Sequence, residues 1–214
     1  MDRYRTIKGE AEAFYEIQKS RFIAHVLHVE REEEARDFVQ RIKKQYFDAR
    51  HNCSAWVLGE KGNLQKSNDD GEPGGTAGNP ILESIKKKDL TNVAVVVTRY
   101  FGGIKLGAGG LIRAYGHSAV LGLEAAQTVI MTPLCRVRLT VGYDLLASLE
   151  YWIRQKSISS EDVNYTEQVE MVLLLPPEES ESLMAEAVDL AAGRCSFEIL
   201  GEAVVPLLET AEAP

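Results

Sequence analysis

The residues of this chain that are best suited to chemistry are glycines and cations gathered in two short segments. Ten of the 17 glycines lie between Asp69 and Gly116, in residues 69–80 and 98–116. Glycine is favoured where the backbone turns with positive φ or approaches another object closely. Backbone N–H groups left bare beside cationic side chains bind anions. The two segments therefore predict a site for phosphate oxygens.

The second segment is expected to leave a buried strand and to enter a long helix. The first N–H groups of a helix have no intrahelical partner, and the helix dipole adds positive charge there. Arg113 and His117 are four residues apart and share one helix face. The predicted phosphate- or nucleic-acid-binding residues are Gly74, Gly75, Thr76, Arg99, Gly102, Gly103, Lys105, Gly107, Gly109, Gly110, Arg113 and His117.

Neither of two familiar phosphate-binding motifs fits these segments. A Walker A loop requires Gly-Lys-Ser/Thr, and residues 74–78 contain no lysine. A dinucleotide fingerprint starting at Gly107 requires a third glycine where Ile112 stands. Close packing of the two loops against each other is an alternative reason for the glycines, but it leaves the accompanying cations unexplained.

An acidic cluster in the first segment offers a different chemistry. Asp69, Asp70 and Glu72, with His51 upstream, have the ligand types of a magnesium or zinc site. No HExxH, CxxC or calcium-loop spacing accompanies them. We therefore interpret the cluster as a solvated acidic turn and predict no metal, no cofactor and no catalytic residue.

Composition and charge limit the class of protein. The chain of 214 residues is 45% hydrophobic and 26% charged, as in a globular protein. Its net charge is -8, but residues 135–214 hold 5 Lys/Arg against 15 Asp/Glu, which leaves 19 against 17 for residues 1–134. A polyanion is therefore expected to bind the first part of the chain. Because neither a membrane span nor a signal peptide is apparent, the predicted location is cytoplasmic.

The pattern of apolar residues predicts the elements that must position the two segments. Residues 4–29 read as three short strands. The elements predicted after them are a helix over 31–47, a strand over 53–58, a helix over 80–88, a strand over 92–100 and a helix over 107–127. The three cysteines are too widely spaced for a redox or metal motif, and we interpret them as buried thiols. They are Cys53, Cys135 and Cys195.

After Thr132-Pro133 the pattern restarts in the order β-α-β-β-α-β, which is the ferredoxin-like arrangement. The predicted elements are strand 135–142, helix 144–156, strand 158–165, strand 168–175, helix 177–193 and strand 195–205. Asp144 is expected to cap the first helix, Pro176-Pro177 to open the second, and Gly193 to end it. The predicted fold class is α+β, with domains at 1–131 and 135–214.

The two glycine segments also resemble the signature of a known family. Residues 70–78 (Asp-Gly-Glu-Pro-Gly-Gly-Thr-Ala-Gly) and 98–107 (Thr-Arg-Tyr-Phe-Gly-Gly-Ile-Lys-Leu-Gly), followed by Gly109-Gly110-Leu111, resemble the Impact family in its bacterial YigZ-type branch. The resemblance covers about residues 1–130. The acidic remainder is similar to the additional C-terminal domain of the bacterial members.

This resemblance implies a fold and a function. It implies an N-terminal domain like the second domain of a small-subunit ribosomal protein and a C-terminal domain similar to the fifth domain of elongation factor G. Eukaryotic relatives restrain an amino-acid-starvation kinase by competing for its ribosome-associated activator. The expected function is thus a non-catalytic cytoplasmic factor that binds RNA or a ribosome-associated partner and regulates translation.

Two alternatives remain open at this stage. One is an enzyme or sensor for a small phosphorylated ligand or nucleotide, bound between the glycine loops with the acidic cluster holding Mg²⁺ and His117 as acid or base. The other is protein–protein interaction through the acidic C-terminal domain. Some family members carry a proline-dipeptidase label, but this sequence has no ligand set for a dinuclear metallopeptidase.

Overall fold

The computed structural model describes residues 2–208. In this range the chain divides into two compact units, one of residues 2–131 with 206–208 and the other of residues 132–205. The division lies inside a continuous strand, β7 (Gln127–Val141), and not in a loop. Each unit is a mixed α/β structure with antiparallel strand pairing.

The first unit contains most of the regular structure. Its elements in chain order are β1 (Tyr4–Lys8), β2 (Glu10–Ile17), β3 (Ser20–His28), α1 (Glu32–Gln45), β4 (His51–Leu58), β5 (Leu64–Asn68), α2 (Gly78–Lys87), β6 (Val93–Tyr100) and α3 (Gly107–Ala125). The three strands predicted over residues 4–29 are confirmed, as are the three helices, to within a few residues at their ends. The strand β5 was not predicted, because four of its five residues are polar and most of the strand is exposed.

Five of these strands form an antiparallel sheet in the order β2-β3-β6-β4-β5. β6 lies at its centre and pairs with β3, with Phe22 opposite Arg99 in their register. The residues of β6 from Val93 to Val97 are all fully buried, which explains why the strand reads as a continuous apolar run. Its last residues bring Arg99 to the edge where the second glycine segment begins.

Helices cover both faces of this sheet. α1 packs on one face through Ala35, Phe38 and Ile42, at the three- and four-residue spacing that the sequence shows. α2 and α3 pack on the other face around a core that includes Phe22 and Tyr115, which is completely buried. This packing leaves the first turn of α3 at the surface beside the end of β6.

The strand β7 starts at Gln127, well before the predicted start at Cys135. Its first residues pair antiparallel with β1, from Gln127 opposite Lys8 to Met131 opposite Tyr4. Its later residues pair with another strand, β9 (Val169–Leu175), in the second unit. The partner β1 is remote in sequence, so local periodicity contained no signal for this extension.

The second unit has the predicted β-α-β-β-α-β order. After β7 come α4 (Tyr143–Gln155), β8 (Ser159–Tyr165), β9, α5 (Ser180–Leu190) and β10 (Cys195–Leu208). β9 lies between β7 and β8, and β10 pairs with β7. The core of the unit gathers apolar side chains of β7 and β9 against α4 and α5, among them Leu139, Leu149 and Leu173.

Three local predictions in this unit have different outcomes. Asp144 does not cap α4, because its carboxylate accepts a hydrogen bond from Arg194 Nη1 at 2.7 Å and the helix has no side-chain cap. α5 begins at Ser180, later than the Pro176-Pro177 start. Gly193 has a φ of 75° after α5, which confirms its role as a terminating glycine.

Burial differs among the three cysteines. Cys53 is buried as predicted, whereas Cys135 and Cys195 are half-buried, so that part of the prediction is wrong. None of the helices within residues 2–208 is long and apolar enough to cross a membrane.

Candidate functional site

The first glycine segment is held together by Asp69. Its carboxylate accepts hydrogen bonds at 2.8–3.0 Å from three backbone N–H groups, those of Gly75, Ala77 and Gly78. Burial acts to raise the pKa of Asp69, but the three amide donors outweigh it and the pKa is lowered. The carboxylate therefore occupies the place at the start of α2 that an external anion would need.

Thr76 is satisfied within the same loop. Its backbone N–H and its hydroxyl both donate to the carbonyl of Pro73, at 3.0 Å and 2.7 Å. Gly74 is exposed, while Thr76 is buried. Of the predicted phosphate ligands in this segment, the donors of Gly75 and Thr76 are thus already bonded inside the protein.

Removal of the Asp69 carboxylate is expected to loosen this loop. Asp69→Ala leaves the three amides without their acceptor, and we expect the free energy of unfolding to fall by about 2 kcal/mol. Because the folded pKa is lowered, the contribution is complete above the unfolded pKa of about 4 and disappears as pH falls through the folded pKa. Urea unfolding of the native and Asp69→Ala proteins between neutral and acidic pH measures both effects.

A suitable control is Asp37→Ala, which removes an exposed carboxylate from α1. This variant is expected to unfold within about 0.5 kcal/mol of the native protein. Equal stability of Asp69→Ala and Asp37→Ala would contradict the role assigned to Asp69.

Glu72 joins the two glycine segments in the interior. Its carboxylate side chain is only 3% exposed, and Oε1 accepts hydrogen bonds from Arg99 Nη1 at 2.6 Å and from the hydroxyl of Tyr115 at 2.7 Å. Burial, with the nearby Cys53 and Glu72, raises the pKa of Tyr115, so its hydroxyl remains a donor. The structure therefore gives Arg99, itself 7% exposed, an internal partner in place of an external phosphate.

Asp70 and the thiol beside it are also engaged internally. The Asp70 carboxylate accepts hydrogen bonds from the N–H of Asn52 at 2.7 Å and from Lys43 Nζ at 2.5 Å. Cys53 donates its thiol proton to the carbonyl of Asp69 at 3.0 Å. Burial raises the pKa of Cys53 to about 12, which keeps it protonated and unreactive at neutral pH.

The interpretation of the acidic cluster as a solvated turn is therefore wrong. All three carboxylates are bonded to donors of the same chain, since the loop folds over β4, β6 and α3. Within residues 2–208, no group of three or more His, Cys, Asp or Glu side chains is arranged to hold a metal ion. The magnesium-holding arrangement considered from the sequence is not formed.

The second glycine segment, in contrast, is exposed. Gly103, Lys105, Gly107 and Gly109 are at the surface, and Gly102 is half-buried. α3 has no side-chain cap and no acidic residue in its first turn. In the described part of the chain, no ion pair joins Lys105 to a carboxylate. The N–H groups at this end of α3 therefore have no side-chain acceptor, and the neighbouring charged side chain, Lys105, is a cation.

Arg113 lies over this bare turn. Its Nη1 is 3.6 Å from the position that a Cβ on Gly109 would occupy, and within residues 2–208 no acidic side chain pairs with its guanidinium. Gly109 itself has neither a positive φ nor a crowded surrounding. A glycine inside a helix costs roughly 1 kcal/mol relative to alanine. Neither a positive φ nor a close backbone contact therefore accounts for this glycine.

Three of the predicted residues, Gly110, Arg113 and His117, meet in one groove between β2 and α3. The groove has a volume of about 470 Å³, and its other lining residues are Tyr15, Ile17, Gln18, Leu106 and Ala114. The ring centroids of Tyr15 and His117 are 4.6 Å apart, with the planes at 75°. Gly74, Gly75, Thr76 and Arg99 are not among the residues that line it.

Sequence reasoning missed the contribution of β2 to this groove. Tyr15 and Ile17 alternate with exposed Glu16, which marks one face of a strand. This alternation indicated burial but not the element that would cover the strand. The contact of α3 with β2 is a tertiary one, and the pattern of either element alone does not specify it.

Comparison with known proteins places this fold and its glycine segments in a family. Residues 18–123 match the Impact N-terminal domain, and residues 139–194 match a domain of unknown function (DUF1949). The chain is similar to IMPACT family member YvyE of Bacillus subtilis (strain 168), with 44% identity over 191 residues, which cover 89% of this chain and 88% of YvyE. It is also similar to IMPACT family member YigZ of Escherichia coli (strain K12), with 36% identity over 180 residues, covering 83% and 88%.

The chain is also similar to a solved crystal structure. The protein in that crystal structure, described only as hypothetical, is 32% identical to the present chain. The two superpose with a TM-score of 0.59, and the match covers 92% of the present chain and 97% of the crystallised chain. The chain belongs to the IMPACT family, which confirms the resemblance seen in the glycine segments.

Proposed function

We propose that this protein is a non-catalytic factor that binds RNA through the first turn of α3 and regulates translation. The observation that carries the proposal is the exposed, uncapped turn at Gly107–Gly110, with Lys105 before it and Arg113 lying over it. The N-terminal end of a helix dipole is equivalent to about half a positive charge. Bare amides and two cations without carboxylate partners in the described chain form a receptor for a phosphate group.

Apolar side chains next to these cations support nucleic acid as the ligand. Phe101, Ile104 and Ile112 are 52%, 44% and 45% exposed. The guanidinium carbon of Arg99 is 5.6 Å from the centroid of the Phe101 ring and helps to hold it in place. Surfaces that bind single strands combine cations with exposed aromatic and apolar groups in this way, so that phosphates and bases are both contacted.

Charge distribution also favours this end of the protein. Residues 1–134 have 19 Lys/Arg against 17 Asp/Glu, whereas residues 135–214 have 5 against 15. A polyanion is repelled by the acidic part and is steered towards the first unit. We place the protein in the cytoplasm, where RNA and ribosomes are found.

Family membership and topology support the link to translation. We propose that the first unit is like the second domain of a small-subunit ribosomal protein and the second unit like the fifth domain of elongation factor G. The β-α-β-β-α-β order of residues 132–205 is consistent with the latter likeness. Scaffolds are shared by many functions, so the exposed turn of α3, and not the fold, is the part that needs testing.

Loss of the two cations at this turn is expected to weaken RNA binding. In Lys105→Ala/Arg113→Ala we expect the affinity for a fluorescently labelled single-stranded RNA to fall about tenfold or more. We also expect the dependence of log affinity on log salt to become shallower by about 1.4, because two phosphate contacts are lost. Fluorescence anisotropy titrations at about 50 mM and about 200 mM KCl measure both quantities.

A matched control removes the same charge elsewhere in the first unit. Lys44→Ala/Lys87→Ala takes exposed cations from the ends of α1 and α2. This control is expected to retain most of the affinity. Absence of RNA binding by the native protein, or equal binding by the two double variants, contradicts the proposal.

A further inference from the structure

We infer that the groove between β2 and α3 receives one unpaired nucleobase of the RNA whose phosphate lies on the first turn of α3. This inference rests on the proposed function and names the form of RNA that the site selects. The groove volume of about 470 Å³ lies in the usual range for sites that hold a small organic group. A single base with its ribose is a group of that kind.

The walls of the groove suit a flat, partly polar ring. Ile17, Leu106 and Ala114 supply apolar surface, while Gln18 supplies an amide that can donate and accept hydrogen bonds. Gly110 has no side chain to fill the space next to the helix. A base has an apolar face and polar edges, which is the combination that these residues match.

Two aromatic rings stand at one end of the groove. The ring centroid of Tyr15 lies 6.2 Å from that of the buried Phe22, which helps to fix its position. The planes of the Tyr15 and His117 rings make an angle of 75°. His117 is exposed, so its ring is not covered by the protein core. Unstacked RNA bases are commonly held by stacking on aromatic side chains, including histidine.

The groove and the phosphate-binding turn share residues. Gly110 and Arg113 line the groove, and both also belong to the first two turns of α3, where Arg113 Nη1 lies over Gly109. A phosphate on the turn and a base in the groove are therefore within reach of one nucleotide. In a duplex the bases are stacked and paired, so they cannot enter a side groove of this kind.

Charge in the groove is complementary to a nucleotide. None of its eight lining residues is acidic, and Arg113 is a cation. Glu12 and Glu16 of β2 alternate with Tyr15 and Ile17 and so point to the opposite face of the sheet. The strand therefore presents only apolar and aromatic groups to the ligand.

The test compares three ligands of equal length on the full chain: single-stranded RNA, the same RNA with abasic sites, and duplex RNA. We expect the native protein to bind single-stranded RNA about tenfold tighter than the abasic strand. His117→Ala is expected to lose most of that difference, because its affinity for single-stranded RNA falls more than its affinity for the abasic strand. His117→Phe retains a ring of similar shape and is expected to restore the preference.

A second measurement locates the bound RNA base on the protein directly. RNA that contains 4-thiouridine is irradiated with the native protein, and the cross-linked peptide is identified by mass spectrometry. We expect adducts within residues 15–18 or 113–117, and we expect excess unlabelled single-stranded RNA to compete them away. Thermal unfolding of the His117 variants checks that this exposed position leaves the fold intact.

The outcomes separate the inference from the proposed function. Equal affinity for the three ligands, with cross-links elsewhere, overturns the base groove. If Lys105→Ala/Arg113→Ala nevertheless weakens all three complexes, the proposed phosphate site stands without it. If the native protein binds none of the ligands, both proposals fail.

Discussion

Replacement of Gly102 with alanine is expected to reduce the free energy of unfolding by about 3 kcal/mol or more. A Cβ at this position would lie 2.0 Å from the carbonyl carbon of Lys19, 2.1 Å from its oxygen and 2.3 Å from the nitrogen of Ser20. These contacts are far inside the van der Waals distance. All three partners are backbone atoms, so a change of side-chain rotamer cannot relieve the overlap.

The backbone that Gly102 approaches has little freedom to move. Gln18 and Lys19 form the two-residue turn between β2 and β3 with φ of 47° and 60°, a left-handed conformation that tight hairpins require. The N–H of Gly102 donates to the fully buried Ser20 hydroxyl at 3.2 Å. To admit a methyl group, either the hairpin or the chain that leads into α3 must shift.

Urea unfolding followed by circular dichroism measures this effect, and Gly74→Ala is the matched control. A Cβ on Gly74 meets no atom within 4 Å, and its φ is not positive. We expect the control to unfold within about 0.5 kcal/mol of the native protein. If the two alanine variants are equally stable, the packing role assigned to Gly102 is wrong.

Loss of the Glu72 carboxylate is the second large effect that we expect. Glu72→Ala leaves the Arg99 guanidinium buried without its partner at 2.6 Å and leaves the Tyr115 hydroxyl without its acceptor at 2.7 Å. Breaking a buried pair from one side typically costs about 3–5 kcal/mol. Because Glu72 joins the first glycine segment to β6 and α3, we expect the loss to appear as lower stability of the whole first unit.

A double-mutant cycle tests whether the pair acts as a unit. Glu72→Ala/Arg99→Ala removes both charges and is expected to be less destabilised than the sum of the single variants, since no unpaired charge remains inside. The more exposed pair of Arg36 with Glu32, in which Arg36 Nη2 lies 2.8 Å from Glu32 Oε1, provides the comparison. Glu32→Ala is expected to cost less than about 1 kcal/mol. A Glu72→Ala variant no less stable than Glu32→Ala contradicts the argument.

The Gly102 and Glu72 variants test packing roles within segments where the sequence does not distinguish packing residues from exposed ones. Gly102 and Gly109 belong to the same glycine segment, yet one is required by a backbone contact and the other has no such contact. Arg99 and Arg113 were grouped as phosphate ligands, yet one is 7% exposed in an ion pair and the other is exposed over a helix end. Packing thus accounts for Gly102 and Arg99, whereas Gly109 and Arg113 lie at the exposed turn of α3.

Much of the fold was predictable because its signals are local. The apolar spacing in α1, the continuous run in β6 and the order of elements in the second unit appear within short windows of sequence. The strand β5 was not predicted because an exposed edge strand of mostly polar residues lacks such a pattern. The early start of β7 was not predicted because it results from pairing with β1, which lies at the other end of the first unit's sequence.

The amino-acid sequence alone determined the family, the order of the elements other than β5, and the presence of two glycine segments beside cations. Only the tertiary structure decided which donors remain bare, because the competing acceptors come from other parts of the chain. The Asp69 carboxylate accepts hydrogen bonds from the amides at the start of α2. Glu72 accepts a hydrogen bond from Arg99, which lies 27 residues away in the sequence. No carboxylate of the described chain reaches the first turn of α3, and contact of that helix with β2 forms a groove that neither element contains alone.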